Sequence, residues 1–84
     1  MKNKTVLVTG AATGIGRSTA ELFAAMGYQV ALGCNRSFAE GLQFARSLSE
    51  MGMSTMAVKA DLRQPDQVEA MFRQIESVWG GVDI

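Results

Sequence analysis

Apolar positions along this chain follow two alternating rhythms. Thr5–Thr9 is a short, β-branched run that predicts a buried strand. Gly16–Met26 then shows helical spacing, which puts Ile15, Thr19, Leu22, Phe23 and Met26 on one expected buried face. Gly27 stands where a glycine past a helix C-terminus belongs. Tyr28–Gly33 predicts a second strand. Asn35-Arg36-Ser37 is a polar turn whose serine is expected to cap the next helix, Phe38–Met51, with Phe38, Leu42, Ala45 and Leu48 inward. Gly52 ends that helix, and Met53–Ala60 predicts a third strand. Pro65 suits the first turn of a third helix, whose face is Val68, Met71, Phe72, Ile75 and Val78 or Trp79. Gly80-Gly81 stops it, and Val82–Ile84 begins a fourth strand. Met26, Met51, Met53, Met56 and Met71 are expected as core filler.

Strands and helices in strict alternation, with short connections, imply an α/β fold with right-handed crossovers and a parallel sheet. In a doubly wound sheet the spatial order is third, second, first, with the fourth strand on the free side of the first. The third helix is then expected on the opposite sheet face. Without a complete fourth strand, the first strand would be left as an apolar edge, a place where chains pair or aggregate. Residues 1–84 therefore read as the N-terminal part of one larger domain, a β-α-β-α-β-α unit.

The turn Thr9-Gly-Ala-Ala-Thr-Gly-Ile-Gly16 sits where the first strand hands over to the first helix. Backbone N–H groups and the positive end of the helix dipole meet an anion at such a point. Gly10, Gly14 and Gly16 have separate mechanical uses there: a sharp turn, close approach to a pyrophosphate, and close helix–strand packing. Their spacing, G-x-x-x-G-x-G, differs from the G-x-G-x-x-G fingerprint, and alone it also fits a structural loop needing positive φ.

Composition narrows the chemistry. Eight basic and eight acidic residues balance, so nothing attracts nucleic acid or an anionic membrane. No stretch approaches the ~20 apolar residues of a membrane span. Met1-Lys-Asn-Lys4 is basic, but the apolar run behind it is too short for a signal peptide. A soluble, cytoplasmic protein is expected. With no histidine, imidazole acid–base chemistry is excluded and a zinc site is not expected. Cys34, the single cysteine, has no partner base and reads as a small buried residue at a strand end.

Thr9-Gly-Ala-Ala-Thr-Gly-Ile-Gly16 resembles the T-G-x-x-x-G-I-G cofactor motif of the short-chain dehydrogenase/reductase family. Gly14–Ala24 is similar to that family's first helix, Asp61-Leu62 to its acidic position at the adenine, and Trp79–Ile84 to the segment leading into its fourth strand. The resemblance covers the whole chain. It implies a Rossmann-like, doubly wound domain that binds NAD or NADP and transfers hydride between nicotinamide and a small carbonyl or alcohol substrate. It also implies a homo-oligomer at full length. By that likeness Gly10, Thr13, Gly14, Ile15 and Gly16 line the pyrophosphate and its ribose. Asp61 accepts a hydrogen bond from the adenine amino group, and the Leu62 backbone faces the ring. Apart from the resemblance, Asp61 reads as a helix-approach or solvated loop aspartate.

Where an acidic residue would bind the ribose 2′-hydroxyl of NAD, this chain has Cys34, followed by Asn35-Arg36-Ser37. A guanidinium, a hydroxyl and a helix N-terminus together suit the 2′-phosphate of NADP. NADP is therefore the expected cofactor and NAD the alternative, although Arg36 is also compatible with an ordinary loop arginine. Arg17, after the last glycine, is a weaker candidate for the same phosphate. The family's catalytic tyrosine carries a lysine four residues later. Here the single tyrosine, Tyr28, is followed by Leu32 at that distance, so no catalytic residue carries over. The chain alone is expected to be inactive. A non-catalytic dinucleotide-binding module and a truncated product without function are the alternatives.

Overall fold

The computed structural model describes residues 4–84. Of the basic start, Met1–Asn3 lie outside the described residues. The elements run β1 (Thr5–Thr9), α1 (Gly14–Ala25), β2 (Gln29–Cys34), α2 (Phe38–Glu50), β3 (Thr55–Lys59) and α3 (Pro65–Trp79). The three strands form one parallel sheet in the order β1-β2-β3. Thr5 to Thr9 pair with Gln29 to Gly33, and Val30 to Cys34 pair with Thr55 to Lys59. Parallel register brings the carboxyl ends of all three strands to one edge of the sheet.

Alternation along β2 divides the core. Val30, Leu32 and Cys34 join Ala20 and Ala24 of α1 and Phe44, Ala45 and Leu48 of α2. Ala31 faces the other way, with Val58, Ala60 and the α3 residues Met71 and Ile75. Helices thus cover both faces, as a doubly wound sheet requires. β2, buried on both sides, is the continuous apolar run expected of a central parallel strand. No described helix is long and apolar enough to cross a membrane.

Val82–Ile84 lies beside β1 without the sustained pairing that defines a strand. The Asp83 and Ile84 amides donate to the Thr5 carbonyl at 2.8 and 3.1 Å, and the Leu7 amide donates to the Ile84 carbonyl at 2.9 Å. The Asp83 carboxylate accepts the Thr5 amide at 2.9 Å. The segment occupies the side of β1 expected for a fourth strand, so β1 is not the bare edge that its length suggests.

Helical spacing located the helices and most of the inward faces of α2 and α3, but misjudged the inward face of α1. α1 starts at Gly14, two residues early, and buries Ala20 and Ala24. Ile15, Leu22 and Met26, expected inside, are 86%, 61% and 54% exposed. The inward stripe is Gly16, Ala20, Phe23 and Ala24, because a helix seated close against a sheet presents its small residues there. In α2 the stripe is Gly41, Phe44, Ala45 and Leu48, with Phe38 and Leu42 only half-buried. In α3, Met71 and Ile75 are buried and Val68 and Trp79 half-buried, whereas Phe72 and Val78 face outward. Met51 is likewise exposed, so Met26 and Met51 are not core filler, while Met71 is. Ser37 occupies the N-cap of α2, but its side chain makes no capping hydrogen bond. Gly80 does close α3, in the left-handed conformation with φ +91°.

These faces differ in their response to truncation. Ile75→Ala is expected to cost about 3 kcal/mol, as deletion of a fully buried aliphatic side chain does. Val78→Ala is expected to cost less than about 0.5 kcal/mol. Urea denaturation of the two variants checks this, and equal losses would contradict the assignment of the α3 face.

Candidate functional site

Three turns, one after each strand at the carboxyl edge of the sheet, build the site. After β1 the chain turns through Gly10 and Gly14, whose φ values of +63° and +59° lie in the left-handed region. Gly16 meets a different constraint. A Cβ on it would collide with the Gly10 carbonyl oxygen and lie 2.8 Å from the Gly10 carbonyl carbon. Absence of that atom lets α1 start directly over the end of β1. The Ala11 amide donates to the Gly33 carbonyl at 3.2 Å, tying the turn to β2 as well.

Thr13 is the N-cap of α1, in extended conformation, and its hydroxyl makes no capping bond. No acidic residue lies in the first turn of that helix. The helix start therefore keeps its unpaired amides and positive field available to an anion. Thr13, Gly14 and Ile15 are exposed there and Gly16 is half-buried. Arg17 lies 4.3 Å from the ring centroid of Phe44 on α2, which gives its guanidinium a cation–π seat.

Between the strand ends opens a cleft of about 260 Å³ lined by Thr9, Gly10, Gly33, Cys34, Asn35, Ala60, Leu62 and Met71. Its Cys34, Ala60, Leu62 and Met71 walls suit a flat, weakly polar ring. Cys34 is 6% exposed, and its thiol leans on the Leu32 carbonyl at 3.6 Å. Burial, with the Glu40 charge adding to it, pushes the thiol above its ordinary pKa, which disfavours the thiolate. Among the described residues, no group of three or more acidic or cysteine side chains could hold a metal ion.

Asp61 begins the turn after β3 and is held by Arg63. Its Oδ1 accepts the Arg63 amide at 3.0 Å and Nε at 3.1 Å, and its Oδ2 accepts Nη2 at 3.0 Å. The Asp61 amide donates to Gln67 at 2.9 Å. These Arg63 hydrogen bonds hold the carboxyl below the usual aspartate range, and the Arg36 charge adds a smaller pull in the same direction. Arg36 and Asp61, on the turns after β2 and β3, thus share one electrostatic neighbourhood.

Of the candidate cofactor-binding residues, Gly10 and Leu62 line the cleft itself. Thr13, Gly14, Ile15 and Gly16 form the helix start after β1. Arg36, Ser37 and Asp61 stand on the turns after β2 and β3 and do not line the cleft. The spacing rules missed Asn35, Ala60 and Met71 as lining residues. They also missed Arg63, although an Asp-Leu-Arg turn carries its own signal in opposite charges two residues apart.

A glycine turn and uncapped helix start, opening onto the carboxyl ends of parallel strands, define a nucleotide-binding α/β unit of the Rossmann type. Residues 4–84 match the short chain dehydrogenase model, and the chain belongs to that family of oxidoreductases. It is 35% identical over 82 residues to the 3-oxoacyl-[acyl-carrier-protein] reductase FabG of Staphylococcus epidermidis, covering 98% of this chain and 34% of that protein. It is 39% identical over 85 residues to 3beta-hydroxysteroid dehydrogenase 1 of Eggerthella lenta, covering 100% of this chain and 32% of that protein. Among solved structures, FolM alternative dihydrofolate reductase 1 from Brucella canis, complexed with NADP, superposes with a TM-score of 0.87. It is 38% identical, over 95% of this chain and 31% of that one. The alcohol dehydrogenase of the archaeon Thermococcus sibiricus, complexed with 5-hydroxy-NADP, gives a TM-score of 0.88 at 31% identity, over 98% of this chain and 35% of that one. The chain spans about a third of the length of the relatives it matches.

The Asp61–Arg63 pair has a definite pH signature. Because the folded pKa is lowered, the pair's contribution is fully present above the ordinary aspartate value of 3.8 and fades as pH falls through the lower folded value. Carboxyl NMR titration is expected to place the Asp61 midpoint below 3.8, returning toward 3.8 in Arg63→Ala. A midpoint unmoved by that substitution would show that Arg63 is not the cause.

Proposed function

We propose that this chain supplies the cofactor-binding part of an NADP-dependent short-chain oxidoreductase acting on a small carbonyl or alcohol. The observation that carries this reading is the strand-end arrangement: an uncapped α1 start after β1, and Cys34-Asn35-Arg36-Ser37 after β2 with no carboxylate in that run. The amides around Gly14–Gly16 and the α1 dipole hold the pyrophosphate. Cys34, Ala60, Leu62 and Met71 enclose the adenine, with the Asp61 carboxylate accepting from its amino group. Arg36 and Ser37 take the 2′-phosphate, where a carboxylate at position 34 would repel it. The two structural neighbours described above were solved with NADP or 5-hydroxy-NADP, which supports the same preference.

Bound NADP supplies the hydride acceptor or donor. The contribution of this chain is position: it fixes the dinucleotide along the carboxyl edge of the sheet. The proton that accompanies hydride transfer needs an acid–base group that the chain does not carry, since Tyr28 has Leu32 rather than a lysine four residues on. Acid–base catalysis and substrate choice are assigned to the remainder of the full-length protein.

Arg36→Ala in the full-length protein is expected to weaken NADPH binding about tenfold or more, the worth of one charge-assisted hydrogen bond, with NADH little affected. Fluorescence titration with both cofactors checks it, and equal loss for both would refute the NADP assignment. The purified 84-residue chain is expected to turn over no carbonyl substrate. Turnover that disappears with Gly14→Val would overturn the division of labour.

A further inference from the structure

Gly41 lies inside α2, where glycine weakens a helix relative to alanine. Its surroundings supply the reason. A Cβ at this position would collide with Cys34 Sγ and lie 3.5 Å from Cys34 Cβ and 3.8 Å from Ala12 Cβ. Cys34 ends β2, and Ala12 belongs to the turn between β1 and α1. The Gly41 amide donates to the Ser37 carbonyl at 2.9 Å, and the Phe38 amide donates to the Asn35 carbonyl at 3.2 Å. Gly41 is therefore fastened to the Asn35–Ser37 turn by its backbone. The missing side chain lets it rest on the end of β2 and face the glycine turn after β1.

We propose that Gly41 and Cys34 are a size-matched pair of positioning residues: together they set the distance between the pyrophosphate turn and the Asn35–Ser37 turn, and so the discrimination between a 2′-phosphate and a 2′-hydroxyl. This rests on the reading of Arg36 and Ser37 as the 2′-phosphate subsite. Cys34 is 6% exposed and packed in the core cluster that holds Ala12 and Phe44, so bulk added at position 41 is taken up by the first turn of α2. That shift moves Ser37 and Arg36 away from the 2′ position and leaves the α1 start, held by the Gly10–Gly16 contact, in place. The adenine and pyrophosphate contacts shared by both cofactors are then kept, while the contacts peculiar to NADP are lost.

The test is a double-mutant cycle in the full-length protein, read as the ratio of NADPH to NADH dissociation constants. Gly41→Ala is expected to weaken NADPH about tenfold and NADH less than about twofold. Adding Cys34→Ala, which removes the colliding sulfur, is expected to return the ratio to within about twofold of wild type. Equal loss of both cofactors in Gly41→Ala, or no recovery in the double variant, would overturn the proposal. If circular dichroism shows Gly41→Ala to be unfolded, Cys34→Thr decides. It adds bulk under an unaltered α2 and is expected to lower NADPH selectivity, whereas an unchanged ratio refutes the pairing. Arg36→Ala separates the two levels: if it does not distinguish the cofactors, the subsite reading itself fails. If it does and Gly41→Ala does not, only the positioning role fails.

Discussion

The contact between Gly16 and the Gly10 carbonyl is the constraint on which the rest of this structure depends. Two stretches of backbone meet there with no side chain between them. That closeness seats α1 over the end of β1 and settles its rotation about its own axis. Once Gly16 faces the sheet, Ala20, Phe23 and Ala24 must face it too, since they recur at the intervals of one helical stripe. The bulkier Ile15, Leu22 and Met26 are turned outward as a consequence. A similar close approach recurs at Gly41 over Cys34, and it places the start of α2 at the same edge of the sheet.

This dependence explains which features could be read from the sequence and which could not. Element types, their order and the doubly wound arrangement come from the two periodicities and from short connections, both local properties. The strand ends at Thr9 and Cys34 and the helix stop at Gly80 are similarly local. The inward face of α1 is not. In α1 the spacing of large apolar residues selects Ile15, Leu22 and Met26, yet the true face is decided by small residues that let the helix approach the sheet. Gly41 carries no apolar signal at all, and its role becomes visible only when Cys34, seven residues earlier, lies beneath it. The glycine turn was legible because strand, turn and helix are contiguous. Asp61 was legible as a position, whereas its engagement by Arg63 depends on how the turn after β3 folds back.

The site divides its work by polarity. The cleft walls contributed by Cys34, Ala60, Leu62 and Met71 offer shape and little charge. Charge is carried on the surrounding turns, by Arg36 after β2 and by Asp61 with Arg63 after β3. The apolar floor is thus drawn from the end of β2, the turn after β3 and α3, and the charged groups sit on short turns around it. The buried Cys34 side chain fills space between β2 and α2.

The start of α1 has one more consequence. Thr13 leaves the first amides of that helix without a side-chain partner. An anion docked there completes the helix as a cap would, so folding and ligation draw on the same amides and are thermodynamically linked. A ligand at a hundred times its dissociation constant adds about 2.7 kcal/mol to the stability of the form that binds it. The amides that a side chain would have satisfied are left open, so any anion held there would raise the fraction of folded chains as its concentration rises.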